Sequence, residues 1–586
     1  MELAEYTINN QKDYILEELY KRKPDVLCFS CYIWNIDYVT DIAREYKKLC
    51  PSVPIWVGGP EVSYEVEAFL RENPYIDGVM IGEGEDTFRE LCGYYAHKRK
   101  LSDIAGIAFR KNSTGNSTSV NNIGGNKAGE IVFTSPRPIK NMSEIPFCYD
   151  TLDDFSNRII YYESSRGCPF SCSYCLSSVD KTLRFRDTEI VKRELKFFID
   201  QKVPQIKFVD RTFNCNHAHA MELWRFIKAN DNGVTNFHFE ISADLLNQEE
   251  LELISDMRPG LIQLEIGVQS TNEVTIKEIH RTMKLERLKE VVKLIQSGNN
   301  IHEHLDLIAG LPYEDYDSFG RSFDEIYELK PNQLQLGFLK VLKGSYMFEH
   351  AAEYGIVYHD KPPYEVMSTK WLSFDDVIKI KRVEEMLEVY YNSGQFEITM
   401  KLMECIFDSA FEFFQELGDF YEANGYFGMS HSRIRRCEIL LEFLALYLHG
   451  CDNDDMTSVV LSENAGDRDN TDFDENAIDR DNTDSDENAQ IYSMIQESLI
   501  FDLYYRENCK SRPVWATDIG KFKHMTHAYC KNGKLSHVEP FHYIFPDKHT
   551  RKLDELPKYH KEPVWALFHY DMRDPLDHQA LVEYVE

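Results

Sequence analysis

Arg158-Ile-Ile-Tyr-Tyr-Glu-Ser-Ser-Arg-Gly-Cys168-Pro-Phe-Ser-Cys172-Ser-Tyr-Cys175 is a short apolar run that passes directly into a loop carrying three cysteines within eight residues. The run reads as a strand, which places the cysteine loop at the strand's C-terminal edge. Three thiolates suit a soft iron-sulfur cluster, and three instead of four leave one iron open to another ligand. Structural zinc is the competing reading, but it normally takes four ligands, and no fourth Cys or His stands at finger-like spacing. Unrelated buried thiols are a third reading, disfavoured by the tight spacing and the flanking Gly167 and Pro169.

From this strand an α/β series continues to residue 340. Its candidate strands are Ile159 to Glu163, Gln205 to Val209, Phe237 to Ile241, Leu261 to Val268, His304 to Ala309 and Gln333 to Leu339. Six strands alternating with helical segments predict a partial (β/α)6 barrel over 158–340, with its chemistry at the C-terminal strand ends. Upstream, Pro24 to Ser30, Pro54 to Gly59 and Gly78 to Gly82 are short apolar runs bounded by turn residues, and they predict an open parallel α/β domain over 1–110. Residues 111–130 turn to Asn, Ser, Thr and Gly and read as a disordered loop insertion, followed by a linker over 131–157. Residues 341–586 read as a mostly α domain whose Tyr- and Phe-rich helical faces belong to a core. It is interrupted over 452–489 by an acidic, disordered insertion that repeats Asp467-Arg-Asp-Asn-Thr-Asp at Asp479. Asp and Asn alternate there as in a calcium loop, but the required Gly and Glu are misplaced.

The formal charge of -33 over 586 residues argues against a nucleic-acid backbone as the main ligand. No apolar run is long enough to cross a bilayer and no leader pattern follows Met1, so the chain is expected in the cytoplasm with no membrane partner. Fourteen scattered cysteines do not form a secreted disulfide framework; most are expected to be reduced and buried.

Cys-x3-Cys-x2-Cys with Tyr174 before the last cysteine resembles the radical S-adenosylmethionine superfamily. Phe208-Val-Asp-Arg-Thr-Phe213, Phe239-Glu-Ile-Ser-Ala243, Leu264-Glu-Ile-Gly-Val-Gln-Ser270 and Leu305-Asp-Leu-Ile-Ala-Gly-Leu-Pro312 carry the resemblance in order along 158–340. It implies a 4Fe-4S cluster on Cys168, Cys172 and Cys175 and reductive cleavage of S-adenosylmethionine, with electrons from a donor such as flavodoxin or ferredoxin. It further implies S-adenosylmethionine contacts from Tyr174, from Asp210 near the methionyl amine, from Glu240 and Ser242 at the ribose, from Gln269 at the ribose or carboxylate, and from Gly310 and Leu311 at the adenine. Asp210 stands where the superfamily more often shows a Gly-Gly-Glu run. Each polar residue, taken singly, can equally cap a turn or helix.

In the first domain, Val57-Gly-Gly-Pro and Ile81-Gly-Glu-Gly-Glu lie at strand ends, where an open sheet binds its ligands. No Gly-x-Gly-x-x-Gly opens a helix, so a dinucleotide is disfavoured. Ahead of a radical domain, the pair is similar to the cobalamin-binding domains of one subgroup of the superfamily. The resemblance implies cobalamin near Ser30, Gly58, Gly59, Glu61, Gly82 and Gly84. The Asp-x-His-x-x-Gly signature is missing, so cobalt would take no protein histidine. Leu3 to Asn9 reads like the domain's second strand, with the first, central strand lacking. The C-terminal part resembles a domain of unknown function that accompanies this architecture; Lys340 and Lys343 at its start read as surface lysines before anion ligands. The functional expectation is a cobalamin-dependent radical enzyme that methylates an unactivated carbon. A cobalamin-dependent rearrangement without methyl transfer is one alternative; a cobalamin or redox sensor, from another class, is the other.

Overall fold

The computed structural model describes residues 1–111, 130–149, 151–152, 155, 158–449, 482–530, 535–546, 550, 553 and 555–585. The loop insertion expected over 111–130 falls almost entirely outside the described residues, as do 452–481 of the acidic insertion. Residues 482–489, assigned to that insertion, instead open the helix Asn482–Arg506.

The first domain is a five-stranded sheet in the order β1 (Leu27–Ser30), β2 (Ile55–Gly58), β3 (Gly78–Met80), β4 (Ile107–Arg110), β5 (Ile131–Phe133). Strands β1 to β3 are parallel, but β4 pairs antiparallel with β3 and β5 antiparallel with β4, so the sheet is mixed where a wholly parallel one was expected. The cause is local. Gly106, at φ +74°, accepts from Ile81 N at 2.8 Å, so β4 starts beside the end of β3 and must run back along it. Leu3 to Asn9 forms no strand: Asn10 Oδ1 accepts from Thr7 N at 2.8 Å and closes a turn inside the run.

The central sheet has six parallel strands in the order β13 (Gln333–Phe338), β12 (His302–Ala309), β11 (Ile262–Gln269), β10 (Asn236–Ile241), β9 (Gln205–Phe208), β6 (Ile160–Tyr162). Each consecutive pair is adjacent, the singly wound order in which right-handed crossovers put every helix on one face. The strands alternate accordingly. Phe208, Phe239, Leu264, Ile266, Leu305 and Leu307 are buried in the main core with the helices Thr188–Asp200, Leu285–Ser297 and Tyr316–Tyr327. Helix starts are fixed by side-chain caps, such as Asp187 accepting from Glu189 N and Ile190 N. The opposite face is polar. Register aligns Glu240, Glu265 and His304 in one row and Gly267, Asp306 and Gln335 in the next.

A short antiparallel pair, β7 (Ser165–Arg166) and β8 (Arg184–Phe185), closes the neck of the cysteine loop. The C-terminal region packs helices Phe374–Leu387, Glu397–Ile406, Ala410–Ala423, Arg433–His449 and Asn482–Arg506 onto the same core. It also carries a three-stranded antiparallel sheet over 536–585 that a mostly α reading does not include. No helix among the described residues is long and apolar enough to cross a membrane.

Candidate active site

Cys168, Cys172 and Cys175 open into one cavity of ≈ 200 Å³ at the C-terminal ends of β9 to β12. None of the described cysteines is in a disulfide, and most are only partly buried, contrary to expectation: Cys31, Cys168 and Cys437 are buried, while Cys92, Cys148 and Cys405 are exposed. The loop is tied down along its length. Cys168 N donates to Asp180 O at 3.3 Å, Ser173 N to Ile279 O at 2.9 Å, and Met347 N to Ser173 O at 2.9 Å. Gly167 sits at φ +92°, and a Cβ there would lie 2.6 Å from Thr182 O, so only glycine fits. Among the described residues no three His, Cys, Asp or Glu side chains converge tightly enough for a single metal ion. Three thiols opening into one cavity are the soft donor set that an iron-sulfur cluster takes. Burial pushes the Cys168 thiol up.

The rest of the cavity wall comes from several strands. Arg281, from the segment after β11, donates from Nη1 to Tyr174 Oη at 3.2 Å and lies 3.9 Å from Cys172 Sγ; its Nη2 donates to Gly267 O. Its Nε is buried without a partner. On the floor, Glu265 accepts from Lys207 Nζ at 2.9 Å and pairs with His238 Nε2 at 2.9 Å. The nearby His238 imidazole, whose Nε2 is not aligned for a hydrogen bond, and then Lys207 hold Glu265 down at about 2 against burial. Its neighbours go the other way. Burial and then the Glu265 charge push Glu240 up to about 7, and the same causes push Asp306 well above the usual carboxylate range. One partly satisfied guanidinium and two carboxyls reluctant to ionise thus share the cavity with the thiols, a set suited to a ligand with both an anionic end and hydroxyl or cationic groups.

Tyr174, Glu240, Ser242 and Gln269 of the expected S-adenosylmethionine set line this cavity with the three cysteines. Ser242 is held there by Asn214, whose side chain accepts from Ser242 N at 3.0 Å and donates to its carbonyl at 2.8 Å. Asp210 does not line it. It is fully buried and accepts from Ser164 N at 2.8 Å, Ser164 Oγ at 2.7 Å and Ser165 Oγ at 2.5 Å. Burial, partly offset by these bonds, raises it to about 6, and it anchors the strand leading into the loop. Gly310 and Leu311 also lie off the cavity wall: a Cβ on Gly310 would meet Val366 at 2.7 Å, and Leu311 is wholly buried. Arg211, Thr212, Glu265, Arg281 and Asp306 line the cavity without having been singled out. Glu265 and Asp306 share the inward alternation of Glu240 and were legible that way; Arg281 follows a helix and carried no local signal.

In the first domain, Ser30 pairs with Gly58 across β1 and β2, and the ring of Trp34 stacks on Tyr32 beside it, exposed. Gly82 and Gly84 face open space, as close approach of a large ligand to the backbone requires. Gly59 does not: a Cβ there would lie 2.3 Å from Cys31 O. Glu61 is engaged by the Tyr364 hydroxyl, and Lys343 lies over the Tyr364 ring at 5.3 Å; Lys340 is exposed.

Residues 2–92 match the B12 binding domain, 162–326 the Radical SAM superfamily and 352–580 a protein family of unknown function, DUF4080. The Radical SAM match implies a 4Fe-4S cluster and S-adenosylmethionine, and the B12 match implies cobalamin. The chain is 28% identical to the cobalamin-dependent radical SAM methyltransferase TokK of Streptomyces tokunonensis, over 52% of this chain and 45% of that protein. It is 22% identical to the anaerobic magnesium-protoporphyrin IX monomethyl ester cyclase of Rubrivivax gelatinosus, over 55% of this chain and 57% of that one. It thus spans about half the length of these relatives. In fold it is similar to the cobalamin-dependent S-adenosylmethionine radical enzyme OxsB, with a TM-score of 0.50 and 15% identity, over 85% of this chain and 73% of that chain.

Proposed function

With this chain a member of the radical SAM superfamily that carries a B12-binding domain and a C-terminal DUF4080, we propose that it is a cytoplasmic, cobalamin-dependent radical enzyme that methylates an unactivated carbon. The observation that carries the reading is the opening of three thiols from one short loop into the cavity shared by Tyr174, Glu240, Ser242, Gln269 and Arg281. When bound, the cluster supplies the electron that breaks a carbon-sulfur bond of S-adenosylmethionine to give a 5'-deoxyadenosyl radical, and cobalamin supplies the methyl carrier. The chain's own residues bind and orient. Cys168, Cys172 and Cys175 hold the cluster. Arg281, whose side chain lines the cavity beside Tyr174, takes the carboxylate of the methionyl group. Glu240 and Asp306 accept from hydroxyl donors on the floor, and Glu265 stays charged between Lys207 and His238. Gly82 and Gly84 admit the corrin to the backbone of the first domain. A separate redox protein such as flavodoxin or ferredoxin supplies electrons. Relatives that are cyclases favour a second reading, radical chemistry with cobalamin but without methyl transfer.

Anaerobically reconstituted protein is expected to hold about four irons and four sulfides per chain, to retain cobalamin through gel filtration and to release 5'-deoxyadenosine under reduction. Cys172→Ala is expected to lose cluster and deoxyadenosine together. Full deoxyadenosine release by that variant removes the cluster assignment; loss of cobalamin from the native chain leaves a radical enzyme without it.

A further inference from the structure

The cluster loop, 167–183, is closed at its neck by a ladder of only two rungs, Ser165 with Phe185 and Arg166 with Arg184. The second rung sets two guanidinium groups directly opposite each other, an arrangement that repels across an antiparallel pair. Local acids touch one arginine each. Glu163 accepts from Arg166 Nη2 at 2.7 Å and Nε at 3.0 Å, and Asp180 accepts from Arg184 Nη2 at 2.8 Å. Among the described residues, the carboxylate that reaches both is Glu83 of the first domain. Its Oε1 accepts from Arg184 Nη1 at 2.6 Å and lies 3.4 Å from Arg166 Nη1. Glu85, two residues on, adds a bond from Arg166 Nη2 at 2.9 Å.

We infer that Glu83 is a positioning residue for the cluster, supplied across the domain boundary: by bridging Arg166 and Arg184 it fixes the neck of the loop that carries Cys168, Cys172 and Cys175. The neck has no slack in which to absorb a shift. Asp180, held by Arg184, accepts from Cys168 N through its own carbonyl, and Gly167 is packed against the Thr182 carbonyl. Opening the Arg166/Arg184 rung therefore moves Cys168. Glu83 stands between Gly82 and Gly84, the two glycines that face open space at the end of β3. A ligand seated against that turn acts on the cluster loop through the same carboxylate, and by linkage the cluster acts back on the ligand. The inference rests on the reading of the three cysteines as cluster ligands.

The test compares the full chain with Glu83→Gln, Arg184→Gln, the double variant and Lys140→Met. Lys140→Met removes a neighbouring side-chain contact between the linker and the first domain, Lys140 Nζ to Asp86 at 2.8 Å, and leaves in place the Lys140 backbone, whose N–H donates to Glu83 Oε2 and whose carbonyl accepts from Arg184 Nη1, each at 3.3 Å. In the cluster-free proteins, amide exchange at Cys168 and Arg186 is expected to quicken about tenfold in Glu83→Gln, with no further change on adding Arg184→Gln and none in Lys140→Met. In the reconstituted proteins, the electron paramagnetic resonance spectrum and midpoint potential of the reduced cluster are expected to shift in Glu83→Gln and to stay native in Lys140→Met. Native exchange and a native spectrum in Glu83→Gln overturn the inference. So does an equal effect of Lys140→Met, which would reduce Glu83 to domain adhesion. A native chain that takes up no iron defeats the cluster reading instead, and the exchange experiment still decides whether Glu83 holds the neck.

Discussion

The central sheet and the N-terminal sheet both present small and polar residues at their strand ends, yet those residues meet different fates. In the central sheet they converge: three cysteines, Tyr174, Glu240, Ser242 and Gln269 share one cavity. In the N-terminal sheet they disperse. Gly59 is packed on the Cys31 carbonyl, Glu61 is taken by Tyr364, Glu83 and Glu85 are taken by Arg166 and Arg184, and only Gly82 and Gly84 face open space. A site made of side chains announces itself by residue type, whereas a site made of exposed backbone shares its glycines with turns and domain seams. The same Gly-rich wording can therefore mean a ligand cradle at one position and a packing contact on the neighbouring strand.

The sharpest way to break this contrast is Gly59→Ala. At φ +119° with Cys31 O 2.3 Å from the new Cβ, the variant is expected to lose about 3 kcal/mol of stability by urea denaturation, whatever it does to cobalamin. A native urea midpoint would return Gly59 to the ligand cradle. In the central cavity, Arg281→Met is expected to keep its iron but to release deoxyadenosine about 30-fold more slowly, since it removes a charge-assisted anchor from a buried site. Unchanged turnover would leave Arg281 as a brace for Tyr174 alone.

Glu240 offers a pH test in the cofactor-free chain. Its folded pKa, about 7, lies above its ordinary 4.5, so its contribution to stability is complete below about 4.5 and is lost as pH rises through about 7. Glu240→Gln is expected to gain about 2 kcal/mol on the native chain between pH 5 and pH 8. Parallel stability curves for the two proteins would show that the carboxyl is not confined as the cavity places it. The smallest effect is expected at Gly84→Ala, which meets nothing within 4 Å and sits in the first turn of the helix Gly84–Tyr95. Stability should stay within about 0.5 kcal/mol of native while cobalamin retention falls. Unchanged retention would make Gly84 a turn residue like Gly59.

Much of the scaffold was legible beforehand because its signals are local. Apolar runs bounded by turn residues located the six central strands to within two residues at their starts, and alternation along β10 to β12 set Glu240, Glu265 and Asp306 on one face. The antiparallel course of β4 escaped because it depends on Gly106 meeting Ile81, a contact no periodicity records. Leu3 to Asn9 had the composition of a strand but no neighbour to pair with, and a Thr7 to Asn10 turn won instead.

By itself the sequence determined where the chemistry is: Cys168, Cys172 and Cys175 are covalently close, so any fold that forms their loop keeps the three thiols together. It determined also which strand faces are polar, because a two-residue period leaves no choice once one face is buried. Only the tertiary structure decided what completes the site. Arg281 reaches Tyr174 from 107 positions away, Asp210 turns from the cavity into Ser164 and Ser165, and Glu83 crosses from one domain to neutralise two arginines of another. The reason is electrostatic. A buried charge must find a partner within a few ångströms, and which residues come that close is fixed by sheet register and domain packing, over distances the local sequence does not encode.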